Sequence, residues 1–144
     1  MSEPRVDGFL GGRLRIAQPA QGYRAGADAV MLAAACPAGP GQAVLELGCG
    51  AGAALLCLAA RVPDLRLTGL ELQAEYALLA RQNAETNGVC ADIVNGDLTQ
   101  IPEALRAQVF DHVIANPPYF LAGSVAPDAG RGTARHEATP LADW

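Results

Sequence analysis

The sequence predicts an α/β protein with a mainly parallel sheet covered on both faces by helices. Three observations carry this expectation. Short apolar runs alternate with helical patterns along most of the chain, a glycine-rich loop joins the first run to the helix after it, and 51% of the 144 residues are apolar. Strands that alternate with helices build βαβ units, and a chain of this length buries a substantial core.

The elements follow in order. After a Gly- and Gln-rich opening, "DAVMLAAAC" reads as a helix with Asp28 suited to its N-cap, and "PAGPG" breaks it. "QAVLELG" is the first strand and "AGAALLCLAARV" a helix ended by "PD". "LRLTGLE" is the second strand, and "QAEYALLARQNAETNG" is a helix with Gly88 as its C-terminal stop. "ADIVNGD" is the third strand, "IPEALRAQ" a short helix with proline near its start, and "FDHVIA" the fourth strand. Residues 121–144 then read as a loop and the start of a helix. A fourth strand with no partner strand after it suggests an incomplete chain, truncated before its remaining strands. The alternative is a short protein whose exposed fourth-strand edge is covered by the tail or by self-association.

Charge and cysteine content narrow the function classes. All ten basic residues are arginine, and the net charge is −5. Residues 1–36 carry +1, residues 37–119 carry −5 and the remainder −1. A nucleic-acid binder usually shows a basic patch, so this balance weighs against a nucleic-acid substrate. Cys36, Cys49, Cys57 and Cys90 form no CxxC pair and stand among apolar neighbours. They read as small buried residues in a reducing compartment, with no metal site. "MSEPRVDGFLGGR" lacks an apolar signal-peptide core, and no apolar run is long enough to span a bilayer, so the expected location is cytoplasmic.

"LELGCGAGA" lies between the first strand and its helix, with Gly48, Gly50 and Ala53 at G-x-G-x-x-G/A spacing. Such small residues also serve close strand–helix packing. The stretch equally fits E-x-G-x-G-x-G, with Glu46, Gly48, Gly50 and Gly52. The two ligand readings differ in charge. A carboxylate at Glu46 repels a dinucleotide pyrophosphate and attracts an ammonium or sulfonium, which turns the choice from NAD toward S-adenosylmethionine. Glu71 ends the second strand 23 residues after Gly48, where a carboxylate can accept both ribose hydroxyls. Asp97 ends the third strand in "NGDL" and suits either an adenine amino group or a helix cap.

"FDHVIANPPYF" ends the fourth strand on a stiff corner, since proline fixes φ and removes backbone donors. A nitrogen conjugated to a ring or carbonyl is a poor nucleophile because its lone pair is delocalised. Two rigid acceptors on its hydrogens direct that lone pair at a methyl group. The Asn116 side-chain oxygen and the Pro117 carbonyl, stiffened by Pro118, are candidates, and Tyr119 can stack on a planar group. His112, with Phe110 and Ile114 on its face of the strand, reads as structural.

"NPPY" after a strand, behind "ELGCGAG" and "GLE", resembles the class I S-adenosylmethionine-dependent methyltransferases that act on planar nitrogens. The opening "FLGGRLRIAQPAQGYRAGADAVMLAAA" is similar to the start of the tRNA1(Val) adenine-N6 methyltransferases of the small-methyltransferase superfamily. The likeness runs over about residues 8–120. It implies a Rossmann-like class I methyltransferase fold, S-adenosylmethionine as cofactor and tRNA as partner. It implies that Gly48, Gly50 and Gly52 wrap the methionine part, Glu71 holds the ribose and Asp97 the adenine. Arg24 to Asp28 would help close the cofactor pocket, and Asn116 to Tyr119 would be the catalytic corner. Residues 1–40 would then pack on the cofactor site and residues 41–120 form the core that binds it.

Two departures stand beside the resemblance: the family's sheet has seven strands where four are legible here, and its tRNA substrate meets an acidic chain. Arg131, Arg135 and His136 in "GRGTARHE" could touch phosphates, but a solvated loop fits them better. Alternative readings are methylation of a protein glutamine amide, methylation of guanine N2 in RNA, and a non-catalytic cofactor-binding fragment. An NAD oxidoreductase is disfavoured by Glu46 and by the lack of a second domain.

Overall fold

The computed structural model describes residues 2–117 and 139–144 of the chain. β1 (Arg5–Phe9) and β2 (Leu14–Gln18) form an antiparallel hairpin, pairing Arg5 with Gln18 through to Phe9 with Leu14. Then come α1 (Ala27–Ala35), β3 (Ala43–Leu47), α2 (Ala53–Arg61), β4 (Arg66–Glu71), α3 (Ala74–Thr86) and β5 (Ala91–Asn95). A 3-10 turn (Leu98–Gln100), α4 (Glu103–Arg106) and β6 (His112–Ala115) follow, and a last 3-10 turn (Leu141–Asp143) leads to Trp144.

β5, β4, β3 and β6 lie side by side in that order, and every pairing is parallel. The chain steps outward from β3 to β4 and β5, then returns to the other side of β3. The carboxyl ends of β3 and β6 therefore flank the point where strand order reverses, the place where open α/β sheets receive ligands.

Alternation along the strands sorts their side chains onto two faces. On one face Val44, Leu67, Ile93 and Ile114 join a single cluster with Leu55, Leu56 and Leu58 of α2 and Ala77, Ala80 and Ala84 of α3. Ala29 and Ala33 of α1 and Leu14 and Ile16 of the hairpin extend it. On the other face Leu70 packs with Leu98 and Leu105, edged by Leu47, Val94, Phe110 and Trp144. Helices thus stand on both faces, but unequally. Val113 of β6, on the thinly covered face, is 57% exposed, and among the described residues β6 pairs with β3 alone.

The helix ends have identifiable partners. Arg61, in the last turn of α2, donates to the carbonyls of Ala33 (3.0 Å) and Cys36, satisfying the open C-terminal end of α1. At the end of α3, Gly88 has φ +65°, and the N–H groups of Gly88 and Val89 donate back to Glu85 and Ala84. This is a Schellman stop, as the sequence suggested for Gly88.

Three sequence expectations need correction. The Gly- and Gln-rich opening, to which the sequence assigned no element, is an ordered hairpin that turns through Leu10, Gly11 and Gly12 at positive φ. The N-cap of α1 is Gly26, and Asp28 lies inside the first turn, its Oδ1 accepting the Gly26 N–H at 2.9 Å. A carboxylate there serves the helix by reaching back. Finally, Cys36, Cys49 and Cys57 are buried but Cys90 is exposed, because it sits in the connection between the α3 stop and β5.

Candidate functional site

A cleft opens at the strand-order reversal. It is lined by the loop after β3, by Asn116 and Pro117 after β6, by Tyr76 of α3, and by Gln18, Tyr23, Ala25, Ala29 and Leu32 from the N-terminal segment. Counted to its open mouth, solvent included, it holds about 650 Å³.

The floor is the glycine loop. Gly48, Gly50 and Gly52 have φ of +66°, +55° and +89°, a region that residues with a Cβ rarely adopt. At Gly52 a side chain would also press on Ala80 of α3, 3.4 Å away, while beyond Gly50 the space is open. The loop is held from below. Cys49 N–H donates to the Leu70 carbonyl (3.0 Å) and Gly50 N–H donates to Glu71 Oε2 (2.8 Å). Gly69 of β4 admits the loop: a Cβ there would stand 2.7 Å from Cys49 Sγ.

The three carboxylates near the floor differ in environment. Glu46 is 4% exposed, lines the cleft, and its Oε2 has no hydrogen-bond partner among the described residues. Burial holds its carboxyl well above the ordinary glutamate range; the Leu55 N–H pulls it down and the Glu71 charge pushes it further up. Glu71 is also raised by burial, offset in part by N–H groups of Gln73, Gly50 and Leu72. It stands beside the lining, with Gln73 N–H on Oε1 at 2.9 Å and Gly50 N–H on Oε2. Asp97 caps the 3-10 turn, accepting both the N–H and the hydroxyl of Thr99 at 2.8 Å. Cys49 is driven well above its usual thiol range by burial and then by Glu46 and Glu71.

At the mouth, Asn116 Nδ2 donates to Asp28 Oδ2 at 2.7 Å. Asp28 also accepts the Tyr23 hydroxyl at 3.1 Å. Burial pushes this carboxyl up, but the hydrogen bonds from Gly26, Tyr23, Ala29 and Asn116 outweigh it and leave the group lowered.

The structure therefore gathers Glu46, Gly48, Gly50 and Asn116 with Pro117 in one lining, and joins Asp28 to it through Asn116. Arg24 is held elsewhere, paired with Asp7 of β1 at 2.5 Å. Pro118, Tyr119, Arg131, Arg135 and His136 lie outside the described residues. His112 meets Gln42 Oε1 at 2.8 Å on the strand.

Sequence reasoning passed over three residues that build the site. Gln18, 2% exposed, accepts the Ala25 N–H (2.7 Å) and donates to the Ala25 carbonyl (3.1 Å), closing the 19–24 loop. Asn83 and Asn87, one helical turn apart on α3, bind both backbone groups of Ala17 and Arg15 in the same way. Asn83, in the helix interior where asparagine propensity is poor, was the available signal; Asn87 is the C-cap of α3. Among the described residues no group of three or more His, Cys, Asp or Glu could hold a metal ion, and no helix is long and apolar enough to cross a membrane.

Known proteins share this architecture. The chain is 35% identical over 142 residues to a tRNA1(Val) (adenine(37)-N6)-methyltransferase of Porphyromonas gingivalis, covering 93% of this chain and 56% of that protein. It is 33% identical to the protein of the same name from Aeromonas hydrophila, covering 92% of this chain and 56% of that one. It thus spans little more than half the length of these curated relatives. The solved structure of TrmN from Thermus thermophilus superposes with a TM-score of 0.54 at 27% identity, over 62% of this chain and 27% of that one. Residues 44–136, more than half of the chain, match the family model described as a methyltransferase domain, and the chain belongs to that family.

Proposed function

We propose that this chain carries the cofactor site of an S-adenosylmethionine-dependent N-methyltransferase whose acceptor is the N6 amine of an adenine in tRNA. The observation that carries this reading is the shared cleft: Asn116 and Pro117 stand in one lining with Glu46 and the glycine loop. The residues fit the cofactor. Glu46 Oε2, buried in that lining with no partner among the described residues, suits a ligand with an ammonium or sulfonium and opposes a pyrophosphate. The open space beyond Gly50 lets a ligand approach the backbone.

When bound, S-adenosylmethionine supplies a methyl group on a positively charged sulfur that already carries a good leaving group. Gly48, Gly50 and Gly52 would hold its methionine part, Glu71 its ribose and Asp97 its adenine. Both carboxylates already accept hydrogen bonds, yet a carboxylate offers about four lone-pair sites, so capacity remains. Asn116 Oδ1 and the Pro117 carbonyl take the two hydrogens of the acceptor amine and draw its lone pair out of conjugation. Positioning then supplies most of the barrier reduction. The N-terminal segment walls the cleft through Gln18, Tyr23, Ala25, Ala29 and Leu32, and the core supplies its floor through Glu46 and the glycine loop and its corner through Asn116 and Pro117.

The acceptor is supported by the two relatives named as tRNA1(Val) adenine-N6 methyltransferases. Calorimetry with S-adenosylhomocysteine and with NADH tests the cofactor, and binding of NADH alone ends the reading. Mass spectrometry of tRNA from a strain lacking the gene tests the acceptor. Loss of one N6-methyladenine is expected, and an unchanged level points to a protein amide instead.

A further inference from the structure

Asp28 touches the candidate catalytic corner from the far end of the chain. A side-chain amide has two faces of opposite character, and the neighbours decide which way it turns. Asp28 lies 88 positions before Asn116 and meets it at 2.7 Å through Oδ2. A carboxylate has no hydrogen to give, so only Nδ2 of Asn116 can face it. The opposite turn would set Oδ1 against a negative oxygen and present two N–H donors to an incoming amine, which itself brings hydrogens.

Asp28 is braced before Asn116 arrives. Its Oδ1 accepts the Gly26 N–H at 2.9 Å and its Oδ2 the Tyr23 hydroxyl at 3.1 Å. The carboxylate is thus fixed by the first turn of α1, while Asn116 sits at the tip of β6. Asn116 lines the cleft; Asp28 stands behind it.

We propose that Asp28 is the positioning residue for Asn116: by accepting from the amide nitrogen alone, it leaves Oδ1 as the acceptor for the substrate's amine. This rests on reading the corner as a methyl-transfer site, and it replaces a cofactor-holding role for Asp28.

Two measurements test it. In the 15N-labelled chain, the Asn116 side-chain NH2 pair is the one missing from Asn116→Ala. Asp28→Asn, which keeps the volume but can donate as well as accept, is expected to move that pair while S-adenosylhomocysteine affinity stays within about twofold. Turnover on tRNA should fall on the order of tenfold, with little change in the cofactor's KM. The second measurement repeats Asp28→Asn in an Asn116→Asp background. An Asp at 116 presents an acceptor whichever way it turns, so the loss from Asp28→Asn should vanish there or reverse. An Asn116 NH2 pair unmoved by Asp28→Asn overturns the proposal even if the chain turns over nothing. So does an equal loss of cofactor affinity and turnover, or the same loss in both backgrounds. Failure of the parent chain to bind S-adenosylhomocysteine sinks the underlying methyltransferase reading instead, and with it this one.

Discussion

Asn83 of α3 binds Ala17 of β2 through both ends of its amide: Oδ1 accepts the Ala17 N–H at 2.8 Å and Nδ2 donates to the Ala17 carbonyl at 2.9 Å. The second Nδ2 hydrogen goes to the carbonyl of Ala51 in the glycine loop, also at 2.9 Å. One 2%-exposed side chain therefore ties the hairpin, the third helix and the cleft floor together. Asn83→Ala leaves three backbone groups without this partner, two at the part-buried Ala17 and one at the buried Ala51, and a buried group costs about 1–3 kcal/mol when unpaired. We expect urea denaturation to show a loss on the order of 3 kcal/mol. Asn83→Asp should lose more, since it sets a carboxylate against two carbonyls.

Asn116→Ala should keep S-adenosylhomocysteine affinity within about threefold while turnover falls on the order of a hundredfold or more, the effect expected from removing one aligned polar partner. Equal losses in the two would make the corner a structural feature.

Glu46 gives the ligand-free chain a pH dependence of defined sign. Burial raises its folded pKa well above the unfolded value, about 4.3. Above that pH the unfolded chain holds fewer protons than the folded one, so stability falls as pH rises, until the folded group has itself ionised. Glu71, raised for the same reason, adds in the same direction. Glu46→Gln should match the parent chain at pH 4 and exceed its stability at pH 8 in parallel urea titrations. The same change should weaken S-adenosylmethionine more than S-adenosylhomocysteine, which lacks the sulfonium charge, on the order of tenfold by calorimetry.

Gly69→Ala places a methyl 2.7 Å from Cys49 Sγ and 3.1 Å from Ile93 Cδ1. Real contacts do not persist at the shorter distance, so the glycine loop must shift. The expected loss is about 1–3 kcal/mol, and adding Cys49→Ala should return part of it. An unchanged urea midpoint in the single variant would show that the loop does not rest on β4 as described.

Thiol chemistry should single out one cysteine of four. Cys90 is exposed, whereas Cys36, Cys49 and Cys57 are buried. Burial and the Glu46 carboxylate also push Cys57 up to about 11, which starves it of thiolate at neutral pH. An aromatic disulfide reagent at pH 8 should label one equivalent quickly in the folded chain and four in denaturant.

Much of this was written plainly in the chain. The βα alternation, the glycine loop and the Gly88 stop each follow from local rules, and the structure carries all three. The hairpin was harder to see because only Phe9 of β1 is buried, so its five residues lack the alternation that marks a strand. In β2 the buried set Leu14, Ile16 and Gln18 ends on a polar residue, which hid the period. The Asp28–Asn116 contact joins two separately legible features across 88 positions, and no local rule states how α1 turns toward β6. The pocket role of Arg24 came from the family resemblance alone; its Asp7 partner became visible only once the hairpin existed.

The return of β6 to the inner side of β3 also orders how the molecule comes together. β3, β4 and β5 meet neighbours in near sequence, but Asp111 must find Ala43, 68 positions earlier, to seat the last strand. Closing so long a span is slow compared with zipping adjacent units. Among the described strands, β6 and the wall that bears Asn116 are therefore expected to dock after the β3–β4–β5 unit. A chain emerging from the ribosome is expected to complete its glycine cradle before it docks the wall that bears Asn116.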